Sequence, residues 1–118
     1  MIRFISCMKR KPGITPEQFR QYWTDPKLAS LTDRMVALTG AVRCVRSATL
    51  NVSANQLVRE RRGGQEPFDG VLEYWWENAS HLIDQINSPE GDALIKEMMA
   101  YQQQFIDFAS STAFFTEA

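Results

Sequence analysis

A chain of 118 residues, 44% hydrophobic and 23% charged, is long enough to bury one core without disulfide staples and is neither disordered nor fibrous. Its net charge of −1 projects no field that would gather nucleic acid or an anionic membrane. No apolar run approaches the roughly 20 residues that span a bilayer, so neither kind of partner is expected.

Residues 2–9, IRFISCMK, read as a strand with Ile2, Phe4 and Met8 on one face and Ile5 and Cys7 on the other. The short apolar run here, ended by basic residues, does not have the layout of a secretory leader, and the cytoplasm is the expected location. After a KPG turn, Thr15 is a good N-cap, Pro16 fits the first helical position and Gln18 completes a capping box. A helix is expected from about Pro16 to about Leu38, broken near Asp25 because Pro26 disfavours helical geometry in the residue before it. Gly40 ends it.

AVRCVRSATLNV, residues 41–52, has the β-branched content of a second strand. SANQLVRERRGGQEP, with Arg59, Arg61, Arg62 and Gly63-Gly64, is expected to form a loop. DGVLEYWWE, residues 69–77, reads as a third strand. A short helix from about Ala79 to Asn87 and a longer one restarting at Ser-Pro-Glu-Gly follow. In the latter, Leu94, Met98, Tyr101 and Phe105 make one apolar stripe. STAFFTE, residues 111–117, closes the chain as a fourth strand.

The order β-α-β-β-α-β is that of an α+β, ferredoxin-like sandwich with an antiparallel four-stranded sheet, here a single domain over residues 1–118. Its strand order, 4-1-3-2, separates Cys7 from Cys44, so the two thiols are expected to be free core residues. Both sheet faces are apolar: Val71 and Trp75 oppose Leu72, Tyr74 and Trp76, and Phe114 opposes Phe115. A homodimer through the open sheet face would cover the surplus. The same aromatics also suit the lining of a pocket.

KRKPGITPEQFRQYW, GAVRCVRSATLN, FDGVLEYWW and the SPEG-initiated final helix and strand, in this order, resemble the EthD-like family of the dimeric α+β barrel superfamily. The resemblance covers nearly the whole chain apart from the Arg-rich segment. It implies two sheets packed as a dimeric barrel, a cavity between each sheet and its own helices, and a small apolar or aromatic ligand. It also implies oxygenase-like, dehydratase, cyclase or isomerase chemistry, or an accessory role in degradation. Where members of that family usually carry a histidine four residues after the tryptophan, this chain has Lys27, and a second such position falls near Ala48. The lone His81 opens a short helix and inherits no family role. Mechanisms that need imidazole as a base or haem ligand therefore have no obvious residue here.

The candidate catalytic residues are Lys27 and Glu73. Phe19, Trp23, Lys27, Leu31 and Met35 recur every fourth residue, a ladder that turns one stripe toward the sheet. Two placements compete for Lys27. Pro26 rotates it outward or it snorkels to water, the commoner fate of lysines; or it enters the cavity near Glu73, where a Lys–Glu pair would have perturbed pKa values suited to moving a proton. Glu73 has its own bland reading, a structural salt bridge. Tyr22, Trp23, Tyr74 and Trp76 are the candidate ligand-binding surfaces. There is no phosphate loop, zinc-ligand spacing or nucleophile elbow, so no cofactor or metal is expected. The leading expectation is a small-molecule enzyme performing cofactor-independent proton transfer or oxygenation on an aromatic or polyketide-like compound. The alternative is a non-catalytic binding or stress-linked accessory protein of the same fold.

Overall fold

A computed structural model describes residues 1–117. The chain runs β1 (Ile2–Met8), α1 (Pro16–Thr24), α2 (Pro26–Thr39), β2 (Arg43–Ala48), α3 (Ser53–Arg62), β3 (Gly70–Trp76), α4 (Leu82–Ile86), α5 (Pro89–Gln102) and β4 (Thr112–Glu117). The four strands form one antiparallel sheet in the order β2-β3-β1-β4, the ferredoxin-like order read from the sequence. No helix among the described residues is long and apolar enough to cross a membrane.

Register decides which side chains meet the helices. Phe4 lies between Tyr74 and Phe115, and Ser6 between Leu72 and Ala113. Because successive residues alternate faces, these side chains share the helix-covered face with Met8 and Trp76. Arg3, Ile5, Cys7, Val71, Glu73, Trp75 and Phe114 take the other. Cys7 and Cys44 are free thiols on strands that are not neighbours.

The capping box forms as the sequence requires: Gln18 N–H donates to Thr15 Oγ1 at 3.1 Å and Thr15 N–H donates to Gln18 Oε1 at 2.9 Å. The break falls at Asp25, which is extended (φ −62°, ψ 137°) and whose carboxylate accepts the Lys27 N–H at 2.8 Å. Asp25 thus ends α1 and starts α2, and the second helix begins in a new phase. α1 buries Phe19 and Trp23, whereas α2 buries Leu28, Leu31 and Thr32. The every-fourth ladder through Lys27 holds only along a continuous helix, and the break expected near Asp25 ends it.

The segment expected as a loop is largely helix α3. Its residues are mostly good helix formers, its last turn carries Arg59, Arg61 and Arg62 against the negative end of the dipole, and Gly63 closes it at φ 62°. Polarity masked these signals, and α3 buries none of its residues. α4 is shorter than expected, running only from Leu82 to Ile86, and His81 at its N-cap makes no side-chain cap.

One end of the core is aromatic. Tyr22 stacks on Phe105 with centroids 4.8 Å apart, Phe19 stacks on Trp23 at 5.3 Å, and Phe105 also meets Phe19 and Tyr101, each at 5.5 Å. The Tyr101 hydroxyl donates to Tyr22 O at 2.6 Å; burial, then Asp25, pushes its pKa up to about 12. A Cβ on Gly70 would sit 2.9 Å from the Trp23 ring, so β3 must begin with glycine for α1 to lie this close. The stripe Leu94, Met98 and Tyr101 is buried on α5, and Phe105, just past its end, is fully buried.

Candidate functional site

At the other end the helices do not close on the sheet, leaving a cavity of about 400 Å³. Phe4, Leu72, Tyr74, Trp76 and Phe115 form its sheet wall, and Met35, Ile95 and Met98 belong to the helical wall. The physical cause lies in one sheet row, where two small side chains, Ser6 and Ala113, stand side by side. Tyr74 and Trp76 stack at 5.9 Å on the same wall. Phe115, on the edge strand β4, lines the cavity and is 52% exposed.

No charged side chain is among the residues lining this cavity. Some of its polar groups are already engaged. Trp76 Nε1 donates to Thr39 Oγ1 at 3.1 Å, and that hydroxyl donates to Met35 O at 2.7 Å. Ser111 Oγ accepts from Lys9 N–H at 2.9 Å and donates to Asp107 O at 2.7 Å. Gln102 and Ser6 differ: they are 4% and 9% exposed, line the cavity, and make no side-chain hydrogen bond among the described residues. The Tyr74 hydroxyl is also unpartnered but is sealed by its neighbours. Burial raises its pKa far above the ordinary tyrosine value, so it stays protonated. Burial likewise raises both thiols, Cys7 and Cys44, which keeps them poor nucleophiles at neutral pH.

Of the residues singled out from the sequence, Tyr74 and Trp76 line the cavity. Tyr22 and Trp23 do not; they belong to the aromatic core at the opposite end. Lys27 and Glu73 are not brought together. Lys27 is exposed on α2, its Nζ 2.9 Å from Glu97 Oε1, and Arg34 holds the other oxygen at 2.9 Å. Glu73 lies on the far face of the sheet, 3.5 Å from Arg3. Pleat alternation puts Glu73 outside with Val71 and Trp75, and the reset at Asp25 turns Lys27 to water, so of the two placements weighed for Lys27 the outward one is seen and the Lys–Glu pair in the cavity is not formed. The sequence reading missed Ser6, Thr39, Met98 and Gln102 as cavity residues. For two of them the inward facing was legible, though the space opposite was not: Ser6 sits in register between inward Phe4 and Met8, and Gln102 follows Met98 by four on the buried stripe.

The Lys27–Glu97–Arg34 cluster gives a pH prediction. Hydrogen bonds from Lys27, then Arg34, hold the Glu97 pKa below the usual glutamate value. A depressed carboxylate stabilises the fold above its unfolded pKa, and that contribution is lost as pH falls through the lower, folded value. Thermal melts between neutral and acid pH are therefore expected to drop less steeply for Glu97→Gln than for the parent. Because the group is exposed, the difference is expected to be small and to shrink in high salt; parallel melting curves for the two proteins would refute the assignment.

A second, polar cleft of about 580 Å³ lies between α1 and the segment carrying α3. Most of its charges pair with one another, Arg10 with Asp69 at 2.7 Å, Arg59 with Glu66 at 3.4 Å and Lys9 with Glu66 at 3.6 Å, while Arg20 donates to Thr49 O at 2.5 Å.

Curated proteins contain no match to this chain. Solved structures with the same fold include an EthD family protein from Bacillus halodurans, 16% identical, TM-score 0.62, covering 100% of this chain and 98% of that one. A dimeric ferredoxin-like protein of unknown function from Thermobifida fusca is 17% identical, TM-score 0.62, covering 99% of this chain and 90% of that one. SnoaB, a cofactor-independent oxygenase from Streptomyces nogalater, is 12% identical, TM-score 0.57, covering 99% of this chain and 91% of that one. At these identities the likeness is one of fold. The EthD domain model matches residues 11–109, a span that holds most of the cavity wall together with the helices above it, and the chain belongs to the EthD domain family.

Proposed function

We propose that this protein is a homodimeric enzyme that admits a small aromatic or polyketide-like compound to the cavity and acts on it by cofactor-independent proton transfer or oxygenation. The observation that carries this reading is the cavity itself: about 400 Å³, walled by Tyr74, Trp76, Phe4 and Phe115, uncharged, and holding unused hydrogen-bonding groups. That volume is within the range of small-molecule sites, which are mostly apolar with a few placed polar groups. The fold-level likeness to a cofactor-independent oxygenase and to dimeric proteins supports the same direction. Both cysteines are free, which suits a cytoplasmic setting; cell fractionation tests that placement.

With no ionised base on the wall, the substrate has to be a carbon acid activated enough to give its proton to a water molecule. The cavity then supplies desolvation and orientation, and hydrogen-bond donors face the oxygen on which charge develops. In the oxygenation branch dioxygen is the oxidant: a CH2 group becomes C=O and the second oxygen atom leaves as water. A binding-only role is favoured by the same absence of charge on the wall, since no residue there is set to exchange a proton at neutral pH.

Anthrone, a tricyclic carbon acid, serves as the probe, with oxygen uptake and binding measured together. The parent is expected to bind it saturably and accelerate uptake. Ala113→Trp, which fills the cavity from the sheet side, is expected to weaken binding by about tenfold or more while the circular dichroism spectrum is kept. Saturable binding without acceleration would select the accessory role. If Ala113→Trp binds as the parent does, the cavity is not the site.

A further inference from the structure

We propose that Gln102 and Ser6 form the polar seat of this cavity and make it selective for an uncharged aromatic ligand bearing a hydroxyl or carbonyl; this rests on the reading that the cavity is the binding site. Gln102 is the last residue of α5 and Ser6 is one residue past the centre of β1, so a helix and a central strand of the sheet hold the two groups on one space. Both residues are nine-tenths buried, yet their unpartnered polar atoms are not among those sealed from solvent, so these atoms face the open space of the cavity. Among the other polar side chains, Thr39 and Ser111 are engaged, Gln104, two residues on, donates its amide to Tyr101 O at 3.2 Å, and the Tyr74 hydroxyl, though unpartnered, is sealed from the space. Gln102 alone on α5 keeps a carboxamide that is buried against the cavity and without a partner among the described residues.

A carboxamide offers two donors and an acceptor, and a serine hydroxyl one donor and an acceptor. Together they match an oxygen that accepts, as in a ketone, or one that both accepts and donates, as in a phenol. A hydrocarbon would leave both groups unpaired, which a site built to hydrogen-bond its ligand rejects strongly. A carboxylate would enter a space with no cation on its wall, and burying an unpaired charge is prohibitive. The seat therefore discriminates in two directions, against the purely apolar and against the anionic.

The probes are naphthalene, 1-naphthol and 1-naphthoate, of similar ring size, titrated by fluorescence. The parent is expected to bind 1-naphthol about 10- to 100-fold more tightly than either of the others. Gln102→Leu, close in volume, is expected to abolish the preference for 1-naphthol over naphthalene while naphthalene affinity is kept. Ser6→Ala is expected to reduce the preference by less and disturbs packing little, so it tests the seat even where Gln102→Leu fails to fold. Equal affinities for naphthalene and 1-naphthol in the parent would overturn the seat and leave the cavity reading standing, as would naphthoate binding as tightly as naphthol. No binding of any of the three would overturn the cavity reading and the seat with it.

Discussion

Phe105→Ala is expected to lower the stability of the fold by about 3–5 kcal/mol, the range for truncating a fully buried phenylalanine. Phe105 has no exposure and its ring touches those of Phe19, Tyr22 and Tyr101. The loss therefore combines transfer of the ring to water, a cavity bounded by stiff aromatics that collapse poorly, and forfeited ring–ring contacts. The backbone here also ties the fold: Lys11 N–H donates to Phe105 O at 2.9 Å, joining the turn after β1 to the chain after α5. In a domain of this size the melting temperature is expected to fall by roughly 10–20 °C. Phe105→Leu, which refills most of the space, is expected to cost less than half as much. Urea unfolding followed by near-ultraviolet circular dichroism measures both, and an Ala variant within 1 kcal/mol of its parent, roughly a surface effect, would refute the packing account.

Phe114→Asp is expected to convert the proposed dimer into a monomer at micromolar concentration. Phe114 is 45% exposed on the sheet face that no helix covers, in a row with Ile5, Glu73 and Val45. Within one protomer a change at so open a position is nearly neutral. In a face-to-face pairing of two such sheets it would place a carboxylate in a desolvated contact beside the Glu73 row. Losing a central aromatic anchor alone weakens association by about 2 kcal/mol or more, roughly 30-fold. Sedimentation equilibrium of parent and variant decides the matter, with the melting profile as a control for folding. A parent that sediments as a monomer would sink the dimer, and a variant that stays dimeric would move the interface elsewhere.

The fold was legible because its signals are local and redundant. Thr15, Pro16, Gln18 and Gly40 set the ends of α1 and α2, and alternation along IRFISCM and GVLEYWW assigned each residue to a face that register then respected. The site was legible only in part. Tyr74 and Trp76 were found since an inward aromatic on a central strand has few places to go. Lys27 misled because a four-residue spacing means one face only while a helix is continuous, and Asp25 ends that continuity. Gln102 and Ser6 were overlooked for a different reason. A polar residue on a buried stripe looks like an ordinary imperfection until the space opposite it is known to be unfilled, and three-dimensional emptiness has no counterpart in periodicity.

Helix α3 leaves the protein with a region uncoupled from its own cooperativity. Because α3 contributes no buried residue, opening it exposes little apolar surface. Local unfolding there draws on almost none of the global stability. Loop-closure entropy grows only slowly with length, so the stretch between β2 and β3 tolerates insertion or deletion at small thermodynamic cost. Evolution can rewrite these residues, and an experimenter can place a label in them, while the sheet register and the cavity remain as they are.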